Sequence, residues 1–350
     1  MNSINKDFFS KSVHKYIVYA DLEKSLEKYE KRILNELRLR NLTKDFFKNK
    51  VIVDIGTGFQ SIIAHKFGAE FVYHLDLSKE QILWMQSYCT EKKIANIQSI
   101  QCDITKEIPK INNIDMVLFF GVWHHMDTPS NFIKNILPLL NPNTSSIWMR
   151  IYRSGTWSRW VTSNLRNISA KIDQSIVEEI LNIRYPYDTF NQWKGDLLDD
   201  LYSPIWQSFH PKQFTIESTS SFVDNQSWDY NFNENDENFR VDFNLNNNNI
   251  EEFKKFTFPN KGINQQTLIF GKNYKMAIKV EELFGIWSTR CENPYITANK
   301  LLSIYDVVRK KTVYDEYTQL SSTSGVTPSR ITAQKRLDML VMLLEKFVKT

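Results

Sequence analysis

Between residues 51 and 151 the chain alternates two patterns, short continuous apolar runs and longer segments whose apolar positions recur at helical spacing. Val51-Ile52-Val53-Asp54, Phe71 to Asp76, Ile97 to Cys102, Asp115 to Phe120 and Ser146 to Ile151 are of the first kind; their length and β-branched or aromatic content predict buried strands. Ser61 to Phe67, Lys79 to Lys92 and Pro129 to Leu140 are of the second kind and predict helices between them. Such alternation builds right-handed βαβ units and a mostly parallel sheet covered on both faces. Ahead of it, Asp21 to Arg40 places Leu22, Leu26, Tyr29, Ile33 and Leu37 on one helical stripe. This predicts an amphipathic helix that packs on the sheet or closes over it as a lid, with Tyr16 and Tyr19 as lid candidates.

After Ile151 the pattern changes. Trp160, Leu165, Ile168, Ile172, Ile176 and Ile180 predict helices, interrupted at Tyr185-Pro186-Tyr187-Asp188. Residues 154–210 therefore read as a helical cap inserted over the sheet, followed by a helix beginning near His210 and by the last two strands, at Phe222-Val223 and Phe239 to Phe243. Residues 225–249 are rich in Asn and acids and predict long polar turns. Ala277 to Trp287, Tyr295 to Lys311 and Arg330 to Val348 predict a helical C-terminal region. The chain thus divides into an N-terminal helical segment (1–50), an α/β core with its cap (51–249) and a mainly helical region (250–350). The last is expected to pack on the core, mediate homodimerisation or recognise a carrier or protein substrate.

A length of 350 residues with 42% apolar content supplies ample core and excludes general disorder. The three cysteines, Cys89, Cys102 and Cys291, are widely spaced and odd in number, which argues against a disulfide framework or a zinc site and for a reducing, cytoplasmic setting. No apolar run approaches the ~20 residues that span a bilayer, and the first ten residues lack the apolar core of a signal peptide. Net charge is +4, distributed as 12 basic and 7 acidic residues over 1–50, 16 and 23 over 51–249, and 16 and 10 over 250–350. An acidic centre argues against nucleic acid as the partner of the core, because phosphate neutralisation dominates such binding.

The chemistry concentrates at strand ends. Val51-Ile52-Val53-Asp54 leads into Gly56-Thr57-Gly58, a strand and tight turn at which the backbone can approach a ligand closely beside helix N–H groups. Asp76 ends the second apolar run and is placed to accept both hydroxyls of a ribose. In a dinucleotide fingerprint the third glycine would fall at Ser61, and Asp54 would repel a pyrophosphate while attracting an ammonium. With Asp103 after the third run and Asp115 to Phe120 followed by Gly121-Val122-Trp123-His124-His125, the chain resembles the class I S-adenosylmethionine-dependent methyltransferases. That resemblance implies a Rossmann-like, seven-stranded, mostly parallel sheet with helices on both faces. It also implies S-adenosyl-L-methionine as cofactor and S-adenosyl-L-homocysteine as product. The implied cofactor residues are Asp54, Gly56, Thr57 and Gly58 at the methionine part, Asp76 and Leu77 at the ribose, Asp103 and Ile104 at the adenine, and Gly121. Gln60 departs from the pattern, since many members carry a third glycine there.

The loop from Gly121 to Pro129 is where methyl group and acceptor would meet. His124 and His125 are candidate general bases, imidazole being suited to proton transfer near neutral pH, and Tyr152 joins them as a catalytic candidate. Trp123, Arg153 and Trp157 are the candidate substrate-binding residues. Adjacent histidines with one nearby aspartate lack the spacing of a metal site, so none is expected. The cap favours a small-molecule acceptor, and its acids Asp188, Asp196, Asp199 and Asp200 favour an amine-bearing one. A protein or RNA acceptor, or a binding module without catalysis, are the alternatives.

Overall fold

The computed structural model describes residues 8, 22–127, 129–141, 144–152, 154, 157–184, 191–208, 238–244, 274–309 and 329–350. Its sheet is built from β1 (Val51–Ile55), β2 (Phe71–Asp76), β3 (Ile97–Gln101), β4 (Met116–Phe120), β5 (Ser146–Tyr152) and β6 (Asn238–Asn244), in the order β3-β2-β1-β4-β5-β6. The first five are parallel, and β6 runs antiparallel to β5 with Ser146 opposite Asn244 and Tyr152 opposite Asn238. Among the described residues the sheet therefore has six strands rather than the seven expected; the strand expected at Phe222-Val223 and the helix expected from His210 lie outside them.

Strand periodicity sorts the apolar side chains onto two buried faces. Val53, Ile55, Val117, Phe119, Ile147 and Met149 face one way, against Phe132, Ile133 and Ile136 of the helix Pro129–Ile136. Ile52, Val72, Met116, Leu118 and Trp148 face the other. That second face is covered by α1 (Leu22–Leu39), α2 (Phe59–Lys66) and α3 (Lys79–Lys92), through Ile33, Leu37, Ile63 and Met85 among others; the helix Pro129–Ile136 is α4. Helices thus change faces where the chain passes from β3 to β4. This puts a topological switch between β1 and β4, the place where an open α/β sheet leaves a crevice at its carboxyl edge.

The remaining helices are α5 (Trp157–Ser169), α6 (Gln174–Arg184), α7 (Asn191–Tyr202), α8 (Tyr274–Thr289), α9 (Pro294–Arg309) and α10 (Ser329–Lys349). Leu165, Val177, Leu181, Leu197 and Leu201 of the insertion share one hydrophobic cluster with Val280, Phe284, Leu301, Tyr305, Leu340 and Leu344 of the C-terminal helices. Insertion and C-terminal region are therefore one helical unit, where the sequence pattern read them as two. A hydrogen bond from Trp160 Nε1 to Glu281 Oε1, 3.1 Å, also crosses between them. No helix among the described residues is long and apolar enough to cross a membrane.

Candidate functional site

The turn after β1 is shaped by two glycines with positive φ, +124° at Gly56 and +80° at Gly58. A Cβ at Gly58 would collide with Met85 Cε and stand 3.0 Å from His74 Nε2. His74, fully buried on β2, holds the turn: its Nε2–H donates to the Gly56 carbonyl at 2.6 Å, which leaves Nδ1 to accept from Ser99 Oγ at 3.1 Å. Burial lowers the His74 pKa to about 4, so the ring is neutral in this role. Gln81 Nε2 donates to the Thr57 carbonyl. Asp54 lies on the α1–α3 face of β1, and its Oδ2 accepts from the backbone N–H of Ser61 at 2.8 Å and from Ser61 Oγ at 2.7 Å. It anchors the first turn of α2, and burial raises its pKa to about 7.

The crevice at the switch point is a cavity of about 240 Å³. Gly56, Thr57, Asp76, Leu77, Asp103, Ile104 and Gly121 line it together; Asp54 and Gly58 stand behind the turn and do not. Asp76 Oδ1 accepts from Ser78 N at 2.6 Å, and burial, with smaller help from Asp54, raises its pKa to about 7. Asp103 Oδ1 is oriented by Thr105, through Oγ1 at 2.6 Å and N at 3.1 Å. A Cβ built on Gly121, where φ is +79°, would meet nothing within 4 Å, so this position keeps the floor of the cavity open.

On the other side the 3₁₀ turn Trp123–His125 separates its three side chains. Trp123, expected to contact substrate, instead turns into the core, edge-on to Phe119 (5.6 Å between centroids) and to Phe132 (6.4 Å). His124 is also fully buried and lies flat on Tyr152, 3.2 Å between centroids. Burial, then His125 and Arg159, hold its pKa well below the ordinary histidine value, and it does not line the cavity. The Arg159 guanidinium sits 3.6 Å from the Tyr152 centroid. Two groups so close cannot share a face, so Tyr152 is sandwiched between them.

His125 and Tyr152 do line the cavity. The His125 Nδ1–H donates to the Ile205 carbonyl at 2.9 Å, and Nε2 lies 3.3 Å from Asp199 Oδ1. The segment after α7 wraps this loop, with Gln207 N donating to the His124 carbonyl at 3.0 Å. Tyr152 Oη reaches Asp199 Oδ2 at 3.4 Å. Asp199 and Asp196 line the cavity, whereas Asp200 is spent in a buried network, accepting from Arg159 Nη1 at 3.1 Å and Tyr305 Oη at 2.6 Å. Arg153, Asp188, Tyr16 and Tyr19 lie outside the described residues, as does the side chain of Trp157.

Sequence reasoning offered α1 as a packing helix or a lid but did not single out the residues with which it reaches the cavity. Lys28, Tyr29 and Arg32 line the cavity, as do Gln60 and Arg150. Tyr29 stacks on Phe59 with 4.7 Å between centroids and hydrogen-bonds Thr57. The place of Tyr29 on the apolar stripe of α1 was visible, but nothing in the pattern marked Lys28 and Arg32. Among the described residues no cluster of three or more His, Cys, Asp or Glu is arranged to hold a metal ion.

Residues 46–195 match a family described as methyltransferase domain. No curated protein sequence matches the chain. Similar solved structures include an S-adenosylmethionine-dependent methyltransferase from Mesorhizobium loti, 21% identical over 33% of this chain and 52% of that one, with a TM-score of 0.29. Others are magnesium protoporphyrin IX methyltransferase from Synechocystis PCC 6803 with bound SAH (17% identity, 46% and 76% covered, TM-score 0.36) and PKMT2 from Rickettsia typhi (15%, 46% and 36%, 0.35). The match spans about half the length of the first of these.

Proposed function

We propose, from the match of residues 46–195 to a methyltransferase domain family, that the protein binds S-adenosylmethionine at the carboxyl edge of β1–β4 and methylates a small, amine-bearing molecule. The observation that carries this reading is the gathering of Asp76, Asp103, the Gly56 turn and the open floor at Gly121 around one cavity. These residues fit the cofactor. Asp76 would offer a carboxylate to two ribose hydroxyls, Asp103 and Ile104 would flank the adenine, and the glycine backbone would admit the methionine chain. Bound there, S-adenosylmethionine supplies a sulfonium methyl group that any well-placed nucleophile can take.

The chain's own residues then have three tasks. α1 and α7 enclose the cavity and restrict water, holding the reactants close, which is the main source of acceleration in such a displacement. Tyr152, fixed on both faces, forms a wall on the acceptor side. His125, with Nδ1 committed to Ile205, presents Nε2 to take a proton from an ammonium and leave a neutral amine, and Asp199 stabilises the resulting imidazolium. The neutral amine, held against Tyr152, would be the nucleophile that the methyl group of a bound cofactor requires.

Calorimetric titration with S-adenosylmethionine, S-adenosylhomocysteine and NAD tests the cofactor. Micromolar affinity for the first two, about −8 kcal/mol, none for NAD, and a loss of at least tenfold in Asp76→Ala are expected; NAD binding, or unchanged affinity in the variant, overturns the assignment.

A further inference from the structure

Tyr152 and His125, the two groups that meet Asp199 at the cavity, are both supported from behind by one buried residue. Asp200, near the end of α7 and 1% exposed, accepts from Arg159 Nη1 of α5 at 3.1 Å, from Tyr305 Oη of α9 at 2.6 Å and from Trp206 Nε1 at 3.4 Å. Arg159 carries that anchorage to Tyr152, since its buried guanidinium covers one face of the ring while His124 covers the other. The Asp200 backbone carries it to His125. Arg166 Nη1 donates to the Asp200 carbonyl at 2.7 Å and Nη2 to the Ser203 carbonyl at 2.5 Å, and Ser203 Oγ stands 3.1 Å from His125 Nδ1. A buried guanidinium–carboxylate pair adds little net stability, because desolvation offsets the attraction. What it supplies here is placement: a guanidinium that is at once paired and stacked has little freedom left, and a lysine would keep its charge without its plane.

Asp200 and Tyr305 lie beyond residues 46–195, the part of the chain that matches the methyltransferase domain, whereas Asp76, Asp103 and the Gly56 turn lie inside it. We propose that Arg159, Asp200 and Tyr305 are positioning residues for the acceptor wall, holding the Tyr152 ring where its hydroxyl meets Asp199 at 3.4 Å, and that acceptor placement therefore depends on α9. None of the three lines the cavity, so their effect passes through Tyr152. The proposal rests on the reading of this cavity as the site of methyl transfer. It divides the site in two: cofactor contacts come from the sheet edge, and acceptor placement comes from helices tied to the C-terminal region.

The test places 3-fluorotyrosine at position 152 of the full chain and follows its fluorine resonance in the unaltered background, in Tyr305→Phe, in Arg159→Lys and in Leu340→Ala. The last is the control, since it thins the same helical cluster without removing a hydrogen bond of the relay. Tyr305→Phe and Arg159→Lys should each displace the resonance of the folded protein by more than its width, and Leu340→Ala should leave it in place. Tyr305→Phe, the mildest change and the end of the relay farthest from the ring, decides the case should Arg159→Lys fail to fold. If either relay variant leaves the resonance in place, or if Leu340→Ala displaces it equally, Tyr152 is held by general packing and the proposal is overturned. The functional arm uses Tyr305→Phe without the label. Calorimetric affinity for S-adenosylhomocysteine should stay within about twofold. Single-turnover transfer of labelled methyl into the metabolite fraction that supports the unaltered enzyme should fall about 10- to 100-fold, mainly as a rise in the amount of fraction needed for half-saturation. Equal losses in cofactor affinity and in transfer overturn the division of the site. If no fraction accepts a methyl group from the unaltered chain, the methyl-transfer reading falls and takes the acceptor role with it, whereas the resonance still decides whether the relay holds Tyr152.

Discussion

His125 holds the Ile205 carbonyl through Nδ1 and faces Asp199 through Nε2. If Nε2 accepts the acceptor's proton, His125→Gln should slow methyl transfer by about 10²- to 10⁴-fold while S-adenosylhomocysteine affinity stays within about twofold. Single-turnover transfer of labelled methyl to the metabolite fraction that supports the unaltered enzyme, run beside calorimetry, measures both. Gly58 carries a different burden. An alanine there adds left-handed strain and a collision with Met85, so Gly58→Ala should lose about 2–4 kcal/mol of stability in urea. At Asp54 the native pKa is raised to about 7, so between the unfolded value and pH 7 the native state binds more protons than the unfolded state. Asp54 therefore costs stability as pH rises from about 4 to about 7. Measured against Asp54→Asn, the unaltered protein should lose at most about 4 kcal/mol across that window, read from urea unfolding at a series of pH values. A difference that does not change with pH would show that Asp54 is not buried in charged form.

Among the elements, β1 to β5 and α1 to α4 were legible because each is a local pattern: an apolar run, a helical stripe, a glycine turn. α2 begins at Phe59, two residues before the expected Ser61, because Gly58 in the left-handed region ends the turn at once. β6 was legible as a strand, but its antiparallel pairing with β5 is a long-range contact that no local pattern encodes. Trp123 misled because an aromatic beside two histidines resembles a pocket wall; only the 3₁₀ geometry sends it toward Phe119 and Phe132. Lys28 and Arg32 were illegible for the opposite reason, since charge on an amphipathic helix is normally solvated. The tie between α7 and α9 was hidden too. There the Asp200 carboxylate, buried with Arg159, accepts from Tyr305 Oη. Tyr305→Phe should cost about 1.5–3 kcal/mol, the range for a hydrogen bond to a charged group, checked by chemical denaturation.

At the scale of the molecule, two sheet-based clusters and one helical cluster share the structure. Leu340 is fully buried in the helical one, so Leu340→Ala should cost about 2–5 kcal/mol. Hydrogen exchange should show protection falling in α5 to α10 together, with β1 to β4 little changed. Loss confined to α8–α10 would mean that the insertion folds without them.

That shared core has a consequence for how the chain is made. Leu165 and Leu197 leave the ribosome long before Leu301 and Leu340, which belong to the same hydrophobic cluster. During synthesis strands β1 to β5 are available early, while the apolar faces of α5 to α7 wait for partners encoded near the other end of the sequence. Contacts so distant in sequence form slowly, and the exposed faces are prone to aggregate in the interval. The wall that α7 adds to the cavity should therefore be the last part of the protein to mature, with Asp196 and Asp199 joining the residues of the sheet edge only after the C-terminal helices have been made.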